Sequence, residues 1–254
     1  MTARVDYFDC SAFVGRWAVP HTAAFYTAAE LVRHMDYYGI DQALVWHAAG
    51  QAASPTIGNR LLMEEIAGHS RLHPVWGLLP EFFQTSETRR MILQSLQNHQ
   101  VRAVRISPAP NHHHYSIRSW VCGPMFEALA ERHIPLFMER DEVGWNDWAE
   151  VLQTWPALPV VLVNPGYRNE RHLYPLLERY PQFYLEASTF VGHRRLEALM
   201  HRFGAGRLLF GTQMPVWDPG AILSVLAYAD ISDQDCRAIA GNNLVRLLEG
   251  SRYD

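Results

Sequence analysis

Short apolar runs and helical stretches alternate eight times along this chain, and that rhythm limits the fold more than any single motif does. Buried strands are predicted at 5–10, 42–47, 73–79, 101–107, 134–139, 159–164, 183–187 and 207–212. Helices are predicted near 27–38, 55–69, 86–97, 123–132, 146–154, 170–180, 193–203 and 221–228, with a further one at 232–248. The punctuation agrees with this reading. Gly39 follows the first helix as its C-terminal stop, Ser54-Pro55 supplies a cap and a first-turn proline, and Ser86 stands as a cap. Eight such units in about 250 residues match one closed (β/α)₈ barrel with an extra C-terminal helix. A doubly wound open sheet competes, but no G-x-G-x-x-G follows any strand. With no Gly/Ser linker, residues 1–254 read as a single α/β domain.

Composition narrows the function classes. A net charge of −4 without any block of basic residues argues against nucleic acid as a partner. No apolar run approaches the roughly 18 residues that span a bilayer, and MTARVDYFDC lacks the apolar core of a signal peptide. Cys10, Cys122 and Cys236 are widely spaced and form no disulfide pattern. The expectation is a cytoplasmic protein that handles a small molecule.

Catalytic side chains of such a barrel sit at the C-terminal ends of its strands, and strand alternation says which residues face inward. The faces read as Asp9/Ser11/Phe13, Val45/His47, Ala103/Arg105/Ser107, Phe137/Glu139, Val160/Leu162/Asn164, Tyr184/Glu186/Ser188 and Leu209/Gly211/Gln213. The mouth should then carry His47, Arg105, Glu139, Asn164, Glu186 and Gln213. Arg105 is either a fork for a substrate carboxylate or a partner for Glu139, and Glu186 is either an acid/base group or a structurally paired carboxylate. The long 108–120 loop is expected to cover the mouth, with Tyr115 and Trp120 as an apolar lid joined by Trp217. His112, His113 and His114 are adjacent, so their side chains diverge. Exposed lid residues are the simpler reading than a metal site. Cys10 reads as a core residue.

Six stretches carry a resemblance: YFDCSAFVG from Tyr7, HMDYYGIDQALVW from His34, VRAVRISP from Val101, VVLVNPG from Val160, LLFGTQMP from Leu208 and GNNLVRLLE from Gly241. In this order and at barrel spacing they resemble the amidohydrolase-related metal-dependent hydrolases. That family binds a divalent metal, usually zinc, through two first-strand His, a sixth-strand His and an eighth-strand Asp, which is also the general base. The matching positions here are Ser11, Phe13, Asn164 and Gln213. The resemblance therefore implies a degenerate zinc site and no cofactor. With the family's ligands and base missing, Glu139 and His47 are the expected catalytic groups at the mouth, and Arg105, Asn164, Glu186, Gln213, Ser11 and Trp217 the expected substrate-binding residues. The activity implied is a metal-independent, lactonase- or decarboxylase-like reaction on a small anionic or aromatic substrate. A non-catalytic ligand- or partner-binding protein is the alternative, and a displaced metal on His47, Glu139 and Glu186 is a third reading. Barrels of this family are often oligomeric, so a homo-oligomer is a further expectation.

Overall fold

In the computed structural model, residues 5–19 and 23–253 are described. Residues 1–4, 20–22 and 254 lie outside them. Eight parallel strands follow one another in sequence order around a nearly closed barrel. They are β1 (Phe8–Val14), β2 (Gln42–His47), β3 (Leu72–Gly77), β4 (Ala103–Arg105), β5 (Leu136–Glu139), β6 (Val160–Val163), β7 (Phe183–Glu186) and β8 (Leu208–Leu209). The helices are α1 (Ala28–Tyr38), α2 (Ala48–Ala52), α3 (Pro55–Glu65), α4 (Ser86–Asn98), α5 (Ser119–Glu131) and α6 (Trp145–Thr154). They continue with α7 (Glu170–Arg179), α8 (Arg195–Phe203), α9 (Gly220–Tyr228), α10 (Asp233–Arg237) and α11 (Asn243–Glu249). No helix among the described residues is long and apolar enough to cross a membrane.

Local chemistry sets the ends of these elements. Thr27 and Glu30 form a reciprocal capping box at the start of α1, and Gly39 ends it in the left-handed conformation. At α4 the cap is Thr85 rather than Ser86, because the Thr85 side chain accepts the Thr88 N–H at 3.1 Å. The short α2 was not anticipated. The Ala49 N–H donates to Nδ1 of His47 at 3.1 Å, so that imidazole caps the helix.

Two buried clusters separate the helix-facing layer from the barrel interior. The interior cluster contains Phe8, Cys10, Phe13, Leu44, Trp46, Val75, Ala103, Phe137, Val161, Val163 and Leu209, plugged by Leu244, Leu247 and Leu248 of α11. This corrects the expected faces of two strands. Val45, Val160 and Leu162 pack outward against helices, while Leu44, Trp46, Val161 and Val163 point inward. The first strand also runs later than expected, and its register shifts between Asp9 and Ala12. That irregularity brings both Cys10 and Phe13 inside, which strict alternation forbids. Cys10 is core as expected, but core of the barrel itself.

The seam between β8 and β1 is closed by the Cys10 N–H donating to the Phe210 carbonyl and the Phe13 N–H to that of Met214, both at 2.9 Å. Behind β8, a π-helical segment (Ala238–Asn242) offers the Ile239 carbonyl to the Phe210 N–H at 2.9 Å. Buried Asn243 then donates to the carbonyls of Ala205 and Leu208, both at 2.8 Å. The Gly-Asn stretch from 241 thus ties the last helix beneath the last strand.

Candidate active site

At the C-terminal ends of the strands lies a cavity of about 170 Å³. It is lined by Ser11, Phe13, Trp17, Trp46, Arg105, Glu139, Val163, Asn164, Gln213, Val216 and Trp217. Six of the residues singled out from sequence therefore meet there: Ser11, Arg105, Glu139, Asn164, Gln213 and Trp217. Asn164 arrives by a route that alternation does not give. Its φ of +52° turns the chain at the end of β6, so that Val163 and Asn164 both face the cavity. Gln213 makes the equivalent turn after β8 with φ +54°.

Two of the expected residues sit elsewhere. Glu186 is fully buried and does not line the cavity. His47 borders a separate small cavity behind Trp46, together with Gly50, Gln51, Arg105, Ser107 and His113. Its ring packs over Gly15, whose φ is +83°, and a Cβ added there would lie 2.5 Å from the imidazole. The expected lid is also absent from the cavity. No residue of the 108–120 loop lines it, and the aromatic walls are Phe13, Trp17, Trp46 and Trp217 instead. The loop is folded against buried Glu142, which accepts the Ala109 N–H at 2.9 Å and the Gln51 amide at 3.1 Å. His112 pairs with the same carboxylate at 3.1 Å, so it is not a free surface residue. Trp17 and Trp46 went unrecognised from sequence. The parity of β2 hid Trp46, and Trp17 lies in a loop with no periodicity.

Arg105 and Glu139 are a close ion pair, Nη2 to Oε1 at 2.6 Å. The guanidinium also lies over the Trp46 ring, 4.0 Å from its centroid, a cation–π contact in a largely desolvated setting. Glu139 keeps 27% of its side chain exposed against 6% for Arg105, so the carboxylate faces the opening and the cation lies behind it.

Beneath the cavity, Glu186 accepts the Asn164 N–H at 3.0 Å, the Ser188 hydroxyl at 2.8 Å and the Gln213 amide at 3.3 Å. The Ser188 N–H adds a fourth bond at 2.5 Å. Burial nevertheless lifts its pKa to about 7 against these stabilising bonds, and the Asp9 charge lifts it further. Asp9 is equally buried, and burial raises it to about 6 although it accepts the N–H groups of Ser11 and Thr212 and the Thr212 hydroxyl. Gly211 must remain a glycine between these groups, since a Cβ would sit 2.4 Å from Glu186 Oε1 and 2.6 Å from Ser11 Oγ.

The donor set does not fit the family's metal. Ser11 Oγ is engaged by the Gln213 N–H at 3.1 Å, and the Phe13 ring packs on Trp46 with centroids 4.8 Å apart. The Gln213 side chain is committed to Glu186 and Ser188. Zinc takes imidazole, thiolate or carboxylate donors, and none of Ser11, Phe13, Asn164 and Gln213 supplies one. Among the described residues, no group of three or more His, Cys, Asp or Glu is placed to hold a metal. That includes the combination of His47, Glu139 and Glu186.

The fold has many counterparts of known structure. The 2,6-dihydroxybenzoate decarboxylase from Rhizobium superposes with a TM-score of 0.78 at 13% identity, covering 97% of this chain and 99% of that one. A dihydroxybenzoic acid decarboxylase from Polaromonas, solved with manganese and 2-nitroresorcinol, gives 0.73 at 15% identity, covering 97% of each chain. A probable 2-pyrone-4,6-dicarboxylic acid hydrolase from Acinetobacter baumannii, with citric acid bound, gives 0.72 at 11% identity, covering 96% of this chain and 99% of that one. No curated protein matches the sequence. At these identities the likeness is one of fold. The sequence profile of the amidohydrolase family, however, matches residues 15–249, nearly the whole barrel. The chain belongs to the amidohydrolase family, as a divergent member.

Proposed function

We propose that this barrel hydrolyses a lactone or ester of a small aromatic, anionic substrate, and that it works without the family's zinc. The observation that carries the reading is the convergence of four aromatic side chains with the Arg105–Glu139 pair and two amides in one cavity. Flat aromatic walls suit a planar ring, while Arg105 and Asn164 suit its oxygen substituents and the Gln213 carbonyl can accept from a hydroxyl. The solved relatives named for aromatic carboxylates and for a dicarboxylic acid support that substrate class.

In this reading Glu139 acts as the base. One carboxylate oxygen is held by Arg105, and the other has no hydrogen bond to a described residue. It would take a proton from a water as that water attacks the substrate carbonyl. The negative charge developing on the carbonyl oxygen would fall to the Arg105 guanidinium and the Asn164 amide. Opening of a lactone then yields the hydroxy acid, with the proton returned to the leaving oxygen. Decarboxylation fits this pair less well. It needs a proton delivered to carbon, and a carboxylate in an ion pair accepts protons rather than giving them.

Metal analysis of the purified protein, combined with turnover of an aryl lactone such as dihydrocoumarin, tests the reading. Turnover that survives chelation and falls at least about 100-fold in Glu139→Gln supports it. Near-stoichiometric zinc, lost together with activity on chelation, overturns it. The second reading, a non-catalytic binding protein, is favoured by the replacement of the eighth-strand base with Gln213. It would be upheld by tight binding of aromatic carboxylates without turnover of any ester or lactone.

A further inference from the structure

The small cavity behind Trp46 has a volume of about 20 Å³ and shares Trp46 and Arg105 with the active-site cavity. Three side chains bring unpartnered buried polar atoms to it: Nε of Arg105, Oε1 of Gln51 and the ring nitrogens of His113. One His113 nitrogen lies near the Gly50 backbone, but without hydrogen-bonding geometry. Orphaned buried polar groups of this kind are rare, and three around one space point to a shared partner.

The donors and acceptors decide what that partner is. Arg105 Nε–H can only donate, and Gln51 Oε1 can only accept. The Gln51 amide cannot be turned round to remove the mismatch, because its Nε2 donates to Glu142 Oε1 at 3.1 Å. Burial holds His113 below its ordinary pKa, so its ring is neutral and offers one donor and one acceptor. An anion would satisfy Arg105 but would be repelled by Oε1, and the Arg105 charge is already matched by Glu139. A species that both accepts and donates is needed, and the space is that of a single water, since about 10–15 Å³ is enough for one. We infer that this cavity is a built water site bridging Arg105 Nε to Gln51 and His113.

The consequence reaches the active site. Arg105 is then fixed on three sides: by Glu139 at Nη2, by Trp46 on its face and by the water at Nε. Gln51 on α2 and His113 on the 106–118 loop become positioning residues that act on Arg105 through the water. Their effect on ligands rests on the proposed role of Arg105, but the water itself does not.

A high-resolution crystal structure of the wild-type protein decides the first point. One ordered water within about 2.7–3.2 Å of Arg105 Nε and Gln51 Oε1 is expected. Empty density, a direct Arg105–Gln51 contact, or anomalous signal there after a bromide soak would overturn the site. For the positioning role, the probe is 2,6-dihydroxybenzoate, followed by quenching of the cavity tryptophans. His113→Phe should weaken binding about tenfold, and His113→Asn, which can still hold the water, should restore most of it at an equal melting temperature. Equal affinities for the two variants would overturn the positioning role. If the wild type does not bind the probe, the substrate reading fails, while the crystal structure still judges the water site.

Discussion

Arg105 stands inward at the end of β4, where it meets both Glu139 and the Trp46 ring. One nitrogen holds Glu139 and the ring of Trp46 supports its face, so Arg105→Lys should lose the planar fork and the stacking together. Titration with 2,6-dihydroxybenzoate should show affinity falling by about tenfold or more, corresponding to ~1.4 kcal/mol. Unchanged affinity would remove Arg105 from the binding site. Gly211 offers a separate check on the layer below. Gly211→Ala forces a methyl against Glu186 and Ser11, and chemical denaturation should show a loss of about 1–3 kcal/mol. The sequence made the eighth-strand glycine visible as part of a motif, but not what crowds it. His47 and Trp46 exchanged roles for a similar reason. Two adjacent residues differ only in which face they take, and β2 carries apolar side chains on both faces, so its pattern does not choose.

Among the elements, the 106–118 loop departs most from expectation. Its length was evident, and length alone suggested a lid. The partner that folds it back, Glu142, lies on the short turn after β5 and 33 residues from Ala109, a distance that no local pattern reveals. Glu142 is buried and accepts from Ala109, Gln51 and His112, so it fixes both the loop and α2 beside the strand ends. Glu142→Ala should strand those donors and cost about 3 kcal/mol of unfolding free energy. Hydrogen exchange should accelerate first at the Ala109 amide and its neighbours. Exchange that rises uniformly, or not at all, would show that the loop is held by something else. The strand order and the main helix of each unit were legible because each unit carries its own apolar run and cap, whereas α2 and the division of the last helix were not. The seam was legible only through the eighth-strand and Gly-Asn stretches. The irregularity in β1 and the left-handed turns at Asn164 and Gln213 were not, because neither residue type demands them.

For the whole molecule, closing the barrel places two carboxylates where water does not reach them. Asp9 binds Thr212 across the seam, and Glu186 gathers the ends of β6, β7 and β8. Sequence put Glu186 at the mouth and Asp9 on the inward face of the first strand, yet their complete burial depends on packing from strands far apart in the chain. Burial raises Asp9 to about 6 and Glu186 to about 7, against ordinary values of roughly 4 for the unfolded chain. The folded protein therefore holds protons that the unfolded chain has released. Their stabilising effect is full below about pH 4 and is lost as pH rises through 6 and 7. Each shift spans about 2 units, which sets an upper scale of ~3 kcal/mol per group. Unfolding free energy from urea titrations should thus fall between about pH 4 and pH 7, the reverse of the trend from surface-paired carboxylates. His47, His73 and His113 are held low by burial and act in the opposite direction toward acid pH, so a single profile mixes the two effects. The variant Asp9→Asn separates them. Its Oδ1 can still accept the N–H groups of Ser11 and Thr212, and its amide can donate to the Thr212 hydroxyl, as protonated Asp9 would. It also removes the charge that helps raise Glu186. The histidine contribution is common to both proteins and cancels in their difference. Asp9→Asn should come closest to the wild type near pH 4 and exceed it by about 1–3 kcal/mol at pH 8. A constant offset between the two profiles would mean that Asp9 is charged in the fold throughout this range, and that the seam tolerates a buried anion.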